Sequence, residues 1–331
     1  MTLPAPLPVL IVGAGLMGRW HVHAAERAGA RVVAIVDPDI ARARALAGRR
    51  RGCEPAAEMA GVLGRASVVH VCTPSDTHAS IVGDAIDPGR HVLCEKPLAP
   101  TAAAVEMLLD RAAARQVLLC PVHQFLFQDG VQAALARLDD IGPLQQIDIT
   151  IRSAGAAGLD EAGRDRVAHE ILPHPMSLIA RVAAVDVSRL DWTARRPAPG
   201  ELRLLAEAGG AGLSVTISMT GRPPVNRMVL AGARGSIDVD LFHGFAVAHR
   251  GTASRAAKVV RPFGDAARQA GAAAANLTRR AWRREPAYPG LARLVELFYQ
   301  AVAHGQPAPI PPADTLATAR ACDRVAAAVL L

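Results

Sequence analysis

Residues 9–18 read VLIVGAGLMG. Four large apolar residues in a row fit a strand buried on both faces, because a half-exposed strand would alternate polar and apolar side chains. The run breaks at Gly13, and LMGRWHVHAAERAG follows with helical spacing and closes on Gly29. Gly13, Gly15 and Gly18 therefore form G-x-G-x-x-G at a strand-to-helix turn. Gly13 permits the tight turn, Gly15 lets a diphosphate approach the backbone, and Gly18 lets helix and sheet pack closely. Leu16 and Met17 stand in the first turn of a helix whose positive end favours that anion. RVVAIVD (31–37) reads as the second strand, with Asp37 at its tip. An acid about 20 residues past the glycines suits hydrogen bonds to an adenosine ribose. Its charge repels a 2′-phosphate, so the expected cofactor is NAD; Arg42 and Arg44 nearby leave NADP open.

The alternation continues outward from this pair. After the helical DIARARALAG, SVVHVCTP (67–74), HVLCEKP (91–97) and VLLCPV (117–122) read as strands three to five. A helix from about Asp76 to Ala85 and TAAAVEMLLDRAAARQ (101–116) separate them. Such spacing predicts an α/β fold, a doubly wound parallel Rossmann sheet with right-handed crossovers, over residues 1–122. The remainder, 123–331, reads as a second α/β domain with a large, mostly antiparallel open sheet. Its strands begin at LQQIDITIRS (144–153) and run through VSRLDWTAR, ELRLLAEA, GLSVTISMT, NRMVLAGA and GSIDVDLF to about residue 242. Residues 250–289 are a basic helical arm with an Ala-rich helix near 264–284. An exposed arm that covers a partner subunit is preferred there over a membrane or phosphate contact. LARLVELFYQAVAHG (291–305) and ADTLATARACDRVAAAVLL (313–331) close the chain as helices, the last packing back on the core.

Composition narrows the function classes. The chain has 331 residues, 51% hydrophobic and 20% charged, as a soluble globular protein would. Its 37 Lys+Arg exceed 30 Asp+Glu for a formal charge of +7, a weak bias toward anionic small molecules. Aromatic residues make up 3%, too few for base-stacking platforms, so no nucleic-acid partner is expected. Five scattered cysteines without a CxxC pair point to buried thiols in a reducing compartment. No leader with a basic n-region precedes the first strand, and no apolar run is long enough to span a bilayer. A cytoplasmic location is expected.

VGAGLMG (12–18), CTPSDTHA (72–79) and CEKPLA (94–99) together resemble the Gfo/Idh/MocA family, named for glucose–fructose oxidoreductase and inositol dehydrogenase. The resemblance is specific across the first domain and holds in outline in the second. It implies an NAD(P)-dependent enzyme that moves hydride between nicotinamide and a secondary alcohol or ketone of a sugar or cyclitol. Lys96, the lysine of E-K-P, would lie beside the nicotinamide and hydrogen-bond the reacting oxygen. Glu95 would orient Lys96 or contact cofactor. Thr73 and Pro74 would line the dinucleotide groove, with His78 next on the following helix, as ligand or as helix-start packing. Relatives carry an Asp-x-x-x-His pair in the second domain; here His174 matches the histidine and Glu170 takes the aspartate place. Pro173 and Pro175 suggest that a loop ends there and a helix begins near Pro175. VHQFLFQDG (122–130) resembles the family's H-Q-x-R-F stretch, which makes His123 a substrate candidate. Leu126 stands where relatives have arginine, and a relative's substrate cannot be borrowed. His169 and His174 are five apart with a proline between, which does not fit HExxH, so no catalytic metal is expected. Alternatives are a redox-neutral enzyme with tightly held NAD, acting by elimination, hydrolysis or epimerisation, and a non-catalytic cofactor-binding regulator. An open sheet face implies a homo-oligomer.

Overall fold

A computed structural model describes residues 5–48, 50–251 and 255–329. The continuous apolar runs become short, largely buried strands, β1 (Pro8–Val12), β2 (Arg31–Val36), β4 (Val68–Val71), β5 (His91–Cys94) and β6 (Leu119–Pro121), joined by a partly exposed β3 (Glu54–Ala56). They pair in parallel in the order β3-β2-β1-β4-β5-β6. Helices α1 (Leu16–Arg27), α2 (Ile40–Ala47), α3 (His78–Ile86) and α4 (Ala102–Ala114) make the crossovers. The starts of α2 and α4 follow capping chemistry. Asp39 accepts the Ala41 amide at 3.0 Å and Thr101 the Ala104 amide at 3.2 Å. Strand reversal on either side of β1 gives the sheet a switch point, where ligands of open α/β sheets bind. β3 was not expected: three residues around Pro55 are too short to carry a periodic signal, and proline suits an edge strand.

The second sheet is built on alternation. In β7 (Leu144–Arg152), Ile147, Ile149 and Ile151 are buried on one face while Gln145, Gln146 and Asp148 fall outside the core. Short helices α5 (Asp129–Leu135) and α6 (Leu138–Ile141) precede it, and α7 (Glu161–Ile171) and α8 (Pro173–Ala183) follow. Then come β8 (Thr193–Arg195), β9 (Glu201–Ala208), β10 (Ala211–Ser218), β11 (Val225–Gly232), β12 (Gly235–Asp240) and β13 (Phe245–Arg250). The order is β13-β12-β11-β7-β10-β9-β8, antiparallel except for the parallel pair β7–β10. Helix α8 covers the apolar face of β7. β13 lies beyond the expected end of the sheet, because FAVAHR follows the glycine turn at Gly244 with too few residues to signal a strand.

Helix α9 (Arg255–Trp282) is longer than the Ala-rich stretch suggests and runs through Pro262. Residues 252–254 of the expected basic arm, and 330–331 of the last helix, lie outside the described residues. One face of α9 is held to the sheet. Asn276 Nδ2 donates to the His243 carbonyl at 3.0 Å, and His249 Nδ1 meets Asp265 Oδ1 at 2.9 Å. Val260, Phe263, Leu277 and Trp282 are exposed, Phe263 by 78%.

The chain then returns to the first sheet. By contacts, one unit runs to His123 and takes back Leu291–Arg320, and the other comprises Gln124–Gly290 and the chain from Ala321. The expected break at 122/123 falls one residue from the observed one, but a second domain running unbroken to the C-terminus does not account for 291–320. Helix α10 (Leu291–His304) packs on α1 through a stripe of Leu291, Leu294, Val295, Phe298 and Tyr299. In α11 (Pro312–Val329), Leu316 and Ala319 pack on the apolar core beneath the first sheet. An amphipathic stripe announces a buried helix face without saying which core buries it.

Candidate active site

At the carboxyl edge of β1 the three glycines have three different surroundings. Gly13 has φ +99°, and a Cβ there would lie 2.6 Å from the Cys72 carbonyl oxygen. A Cβ on Gly18 would collide with the Gly13 carbonyl oxygen, so helix and turn approach as only glycine allows. A Cβ on Gly15 would meet no atom within 4 Å, which leaves that side of the turn open. No side chain caps α1, and its first residue, Leu16, is 62% exposed, with Met17 half-buried. The first amides of α1 thus carry no side-chain cap, while within the turn the Ala14 amide is taken by Asp37. Asp37 is 9% exposed. Its Oδ2 accepts the Ala14 amide at 2.8 Å and its Oδ1 the Asp39 amide at 2.9 Å. Each oxygen keeps a lone pair, so a ribose hydroxyl can still donate to a carboxylate already fixed in orientation. An open diphosphate turn with an oriented acid at the next strand tip fits a dinucleotide.

The ends of β4 and β5 supply the other wall. Thr77 Oγ1 lies 2.7 Å from both Thr73 Oγ1 and the Pro74 carbonyl. His78 is buried at the start of α3, its Nδ1 2.7 Å from the Pro97 carbonyl and its Nε2 2.9 Å from the Thr73 carbonyl. That ring braces two strand ends, and both its nitrogens are engaged by backbone. Lys96 is half-buried, and the Lys96–Pro97 peptide is cis. Glu95 is 8% exposed, with Oε1 3.0 Å from His21 Nε2. Burial pushes its carboxyl up, but the His21 hydrogen bond, and then Lys96, hold it below the ordinary carboxylate value. Burial, then Glu95, push the Cys72 and Cys94 thiols well up, so neither is a thiolate nucleophile near neutral pH. His123 is buried at the end of β6.

The second unit holds the remaining candidates. The expected loop before Pro175 is in fact helical: α7 carries Glu170 in its last turn, and α8 starts at Pro173. Both prolines fall in the first turn of α8, where no amide is needed for an internal hydrogen bond. His174 is buried, and its ring stacks on Phe125 with centroids 4.3 Å apart. Glu170 and His174 therefore stand on successive helices across the bend at Leu172. Burial pushes the neighbouring His169 down, and Asp323 and Glu170 partly offset this. Leu126 is buried in the turn after β6. Among the described residues, no three His, Cys, Asp or Glu side chains gather as metal ligands, and no helix is long and apolar enough to cross a membrane. Sequence reasoning assigned no role to His21, His70, Tyr299 or Phe125. A histidine inside VVHV, an otherwise apolar strand, was the available signal.

A family model described as an oxidoreductase family with an NAD-binding Rossmann fold, Gfo/Idh/MocA, matches residues 7–123. Inositol 2-dehydrogenase of Rhizobium meliloti (strain 1021) is 32% identical over 157 residues, 45% of this chain and 46% of that protein. Inositol 2-dehydrogenase 4 of Saccharopolyspora erythraea is 42% identical over 98 residues, 28% and 29% of the two chains. The chain thus matches less than half the length of these relatives. Solved structures extend the likeness across the whole chain. KijD10, a 3-ketoreductase from Actinomadura kijaniata in complex with NADP and TDP-benzene, superposes with a TM-score of 0.75 at 19% identity over 98% of each chain. An oxidoreductase from Agrobacterium radiobacter in complex with NAD+, L-tartaric acid and magnesium gives 0.74 at 17%, over 98% of this chain and 97% of that one. At such identities the likeness is one of fold.

Proposed function

We propose that residues 7–123, which match the Gfo/Idh/MocA oxidoreductase model, form an NAD-binding Rossmann domain of that family, and that the chain is an NAD(P)-dependent dehydrogenase or reductase. Its substrate is a secondary alcohol or ketone of a sugar, cyclitol or similar polyol. The observation that carries this reading is the gathering, on one sheet edge, of the open Gly15 turn, the oriented Asp37 and the Glu95-Lys96-Pro97 turn. Bound nicotinamide supplies the hydride chemistry. Lys96 hydrogen-bonds the reacting oxygen and stabilises charge there as the bond order changes. His174 is the second unit's proton-handling group, held by Phe125, with Glu170 and His123 in supporting roles. Asp37 selects NAD over NADP by charge. Thr73 and Pro74 line the dinucleotide groove.

The protein is further assigned as cytoplasmic and homo-oligomeric. Five free cysteines support the first, and the exposed apolar side chains of α9 support the second. Titration with NADH and NADPH, followed by nicotinamide fluorescence, tests the cofactor half. Micromolar NADH binding that is tighter than NADPH binding is expected, and a screen of cyclitols and sugars for NAD reduction then tests the reaction. Tighter NADPH binding overturns the role given to Asp37. Absence of binding to either overturns the enzyme reading.

A further inference from the structure

Four polar side chains lie in one buried line next to the Lys96 turn. Tyr299 on α10 meets His70 in β4, with the hydroxyl 2.9 Å from Nε2. His70 Nδ1 meets His21 Nδ1 on α1 at 2.8 Å, and His21 Nε2 reaches Glu95 Oε1 at 3.0 Å. Tyr299, His70 and His21 are each 0% exposed. His70 sits among the valines of β4 and Tyr299 on the buried stripe of α10, and this line supplies their hydrogen bonds.

The partners determine the protons. Complete burial holds His70 well below the ordinary histidine range, so it is neutral and carries one ring proton. Glu95 as a carboxylate only accepts, which places a proton on His21 Nε2. If His21 holds only that proton, its Nδ1 must accept, so His70 donates from Nδ1 and accepts at Nε2 from the Tyr299 hydroxyl. Every donor then has an acceptor, and all the bonds point toward Glu95.

Adding one proton disturbs the whole line. Uptake at Glu95 forms an O–H that donates to His21 Nε2, and the His21 proton moves to Nδ1. The His70 proton then moves to Nε2 and faces the Tyr299 oxygen, and the tyrosine O–H loses its acceptor inside the core. Uptake at His21 reaches the same end, because a doubly protonated His21 also turns the His70 proton to Nε2. A single hydroxyl thus opposes protonation anywhere along the line.

We propose that Tyr299, His70 and His21 form a one-way hydrogen-bond relay that holds the Glu95 carboxylate fixed beside Lys96, with Tyr299 as a distant positioning residue. The task given to the relay rests on the oxidoreductase reading; its polarity rests on the line of contacts and on a single ring proton on each histidine. The titratable groups facing it are few. Glu95 is faced by His21, Lys96, Cys72 and Cys94, and Tyr299 by His70 and Cys72. Both thiols are pushed up by burial and stay neutral, so they add no competing charge. Glu95 Oε2 remains 3.4 Å from the Lys96 amide, and the relay leaves that oxygen alone.

The test needs no substrate. Full-length protein labelled with 15N-histidine is observed by NMR between about pH 5.5 and 8, where an ordinary histidine titrates. Two rings that stay neutral throughout are expected, His70 protonated on Nδ1 and His21 on Nε2, with assignment from the signals lost in His21→Gln and His70→Asn. A His70 proton on Nε2, or a cationic His21 at neutral pH, overturns the relay. In Tyr299→Phe no hydroxyl opposes protonation, so the relay should take up a proton about one to two pH units higher. The acid limb of turnover should move up with it, whereas a merely structural tyrosine would lower the melting temperature and leave the limb in place. An unmoved limb overturns the positioning role. NADH titration of the same samples keeps the two ideas apart: loss of binding in the wild type overturns the oxidoreductase reading, while the tautomers alone decide the relay.

Discussion

Gly13, Gly15 and Gly18 share one motif but do different physical work, and substitution separates the three. A methyl group on Gly18 must displace the Gly13 carbonyl, and one on Gly13 meets Cys72 in a backbone conformation that disfavours side chains. Either change lowers stability. A methyl on Gly15 meets nothing. Gly15→Ala should therefore leave the melting temperature within about 1–2 °C of wild type while weakening NADH binding about tenfold or more, since the proposed function gives that space to the diphosphate. Differential scanning fluorimetry and nicotinamide fluorescence read the two effects on one sample, and a large fall in melting temperature would refute the open-turn geometry. Lys96→Met makes the complementary case. It should keep cofactor affinity within about threefold and lose about 10²–10⁴ in turnover, the usual worth of a positioned proton-handling group. Normal turnover would remove Lys96 from the chemistry. Both expectations were readable in the sequence, because turn chemistry and a charged residue at a strand end are local signals. The His21–His70–Tyr299 line was not, since its members lie 49 and 229 residues apart and meet only after the sheet forms.

Helix α9 shows the limit of pattern reading at the scale of an element. Composition marks a basic, Ala-rich helix but does not say which side is tied down. The structure answers with polar anchors: Asn276 on the His243 carbonyl, Arg283 on Asp129 at 2.7 Å, and Asp265 shared by His249, Arg261 and Arg268. The hydrogen bonds from His249 and then Arg268 hold the Asp265 carboxyl down at about 2, against an ordinary 3.8. The sign follows from linkage. A folded value below the unfolded one stabilises the anchored state above the unfolded value, and that contribution is lost as pH falls toward 2. Amide exchange across 259–270 should therefore stay slow from neutral pH to about 5 and rise below about 4 relative to α10, after correction for intrinsic rates. Asp265→Asn should show the faster exchange already at pH 7. Equal protection in variant and wild type would mean that apolar contacts, and not this cluster, hold the helix. The bend between α7 and α8 is a second case. Pro173 and Pro175 look like breakers in sequence, yet in the first turn of a helix they cost no hydrogen bond, so Glu170 and His174 stand on two helices.

At the scale of the whole chain, the strand–helix alternation made the first sheet legible, and the turn-punctuated alternation did the same for the second. What neither pattern could show is the return of 291–320, because an amphipathic stripe is satisfied by any apolar surface. That return has a thermodynamic consequence. Residues 1–123 hold all six strands, the glycine turn and Lys96, so a fragment spanning only the matched family segment would look self-sufficient by motif. It would still lack α10, which buries Leu294, Val295, Phe298 and Tyr299 completely or nearly so, and the α11 side chains Leu316 and Ala319. Each large buried side chain contributes about 1.5–3 kcal/mol, and a domain's whole margin is about 5–15 kcal/mol, so loss of four or more consumes most of it. Removing Tyr299 also leaves buried His70 Nε2 without its hydrogen-bond partner. A chain ending after Gly290 should therefore lose cooperative unfolding of the nucleotide-binding unit and its NADH affinity, whereas a protein in which 291–320 is joined by a flexible linker directly to residues 5–123 should regain both. Circular dichroism melts and NADH titration of the two shortened proteins decide the matter: a truncated chain that melts cooperatively and binds NADH as well as the full one would show that the first sheet stands without its returning helices.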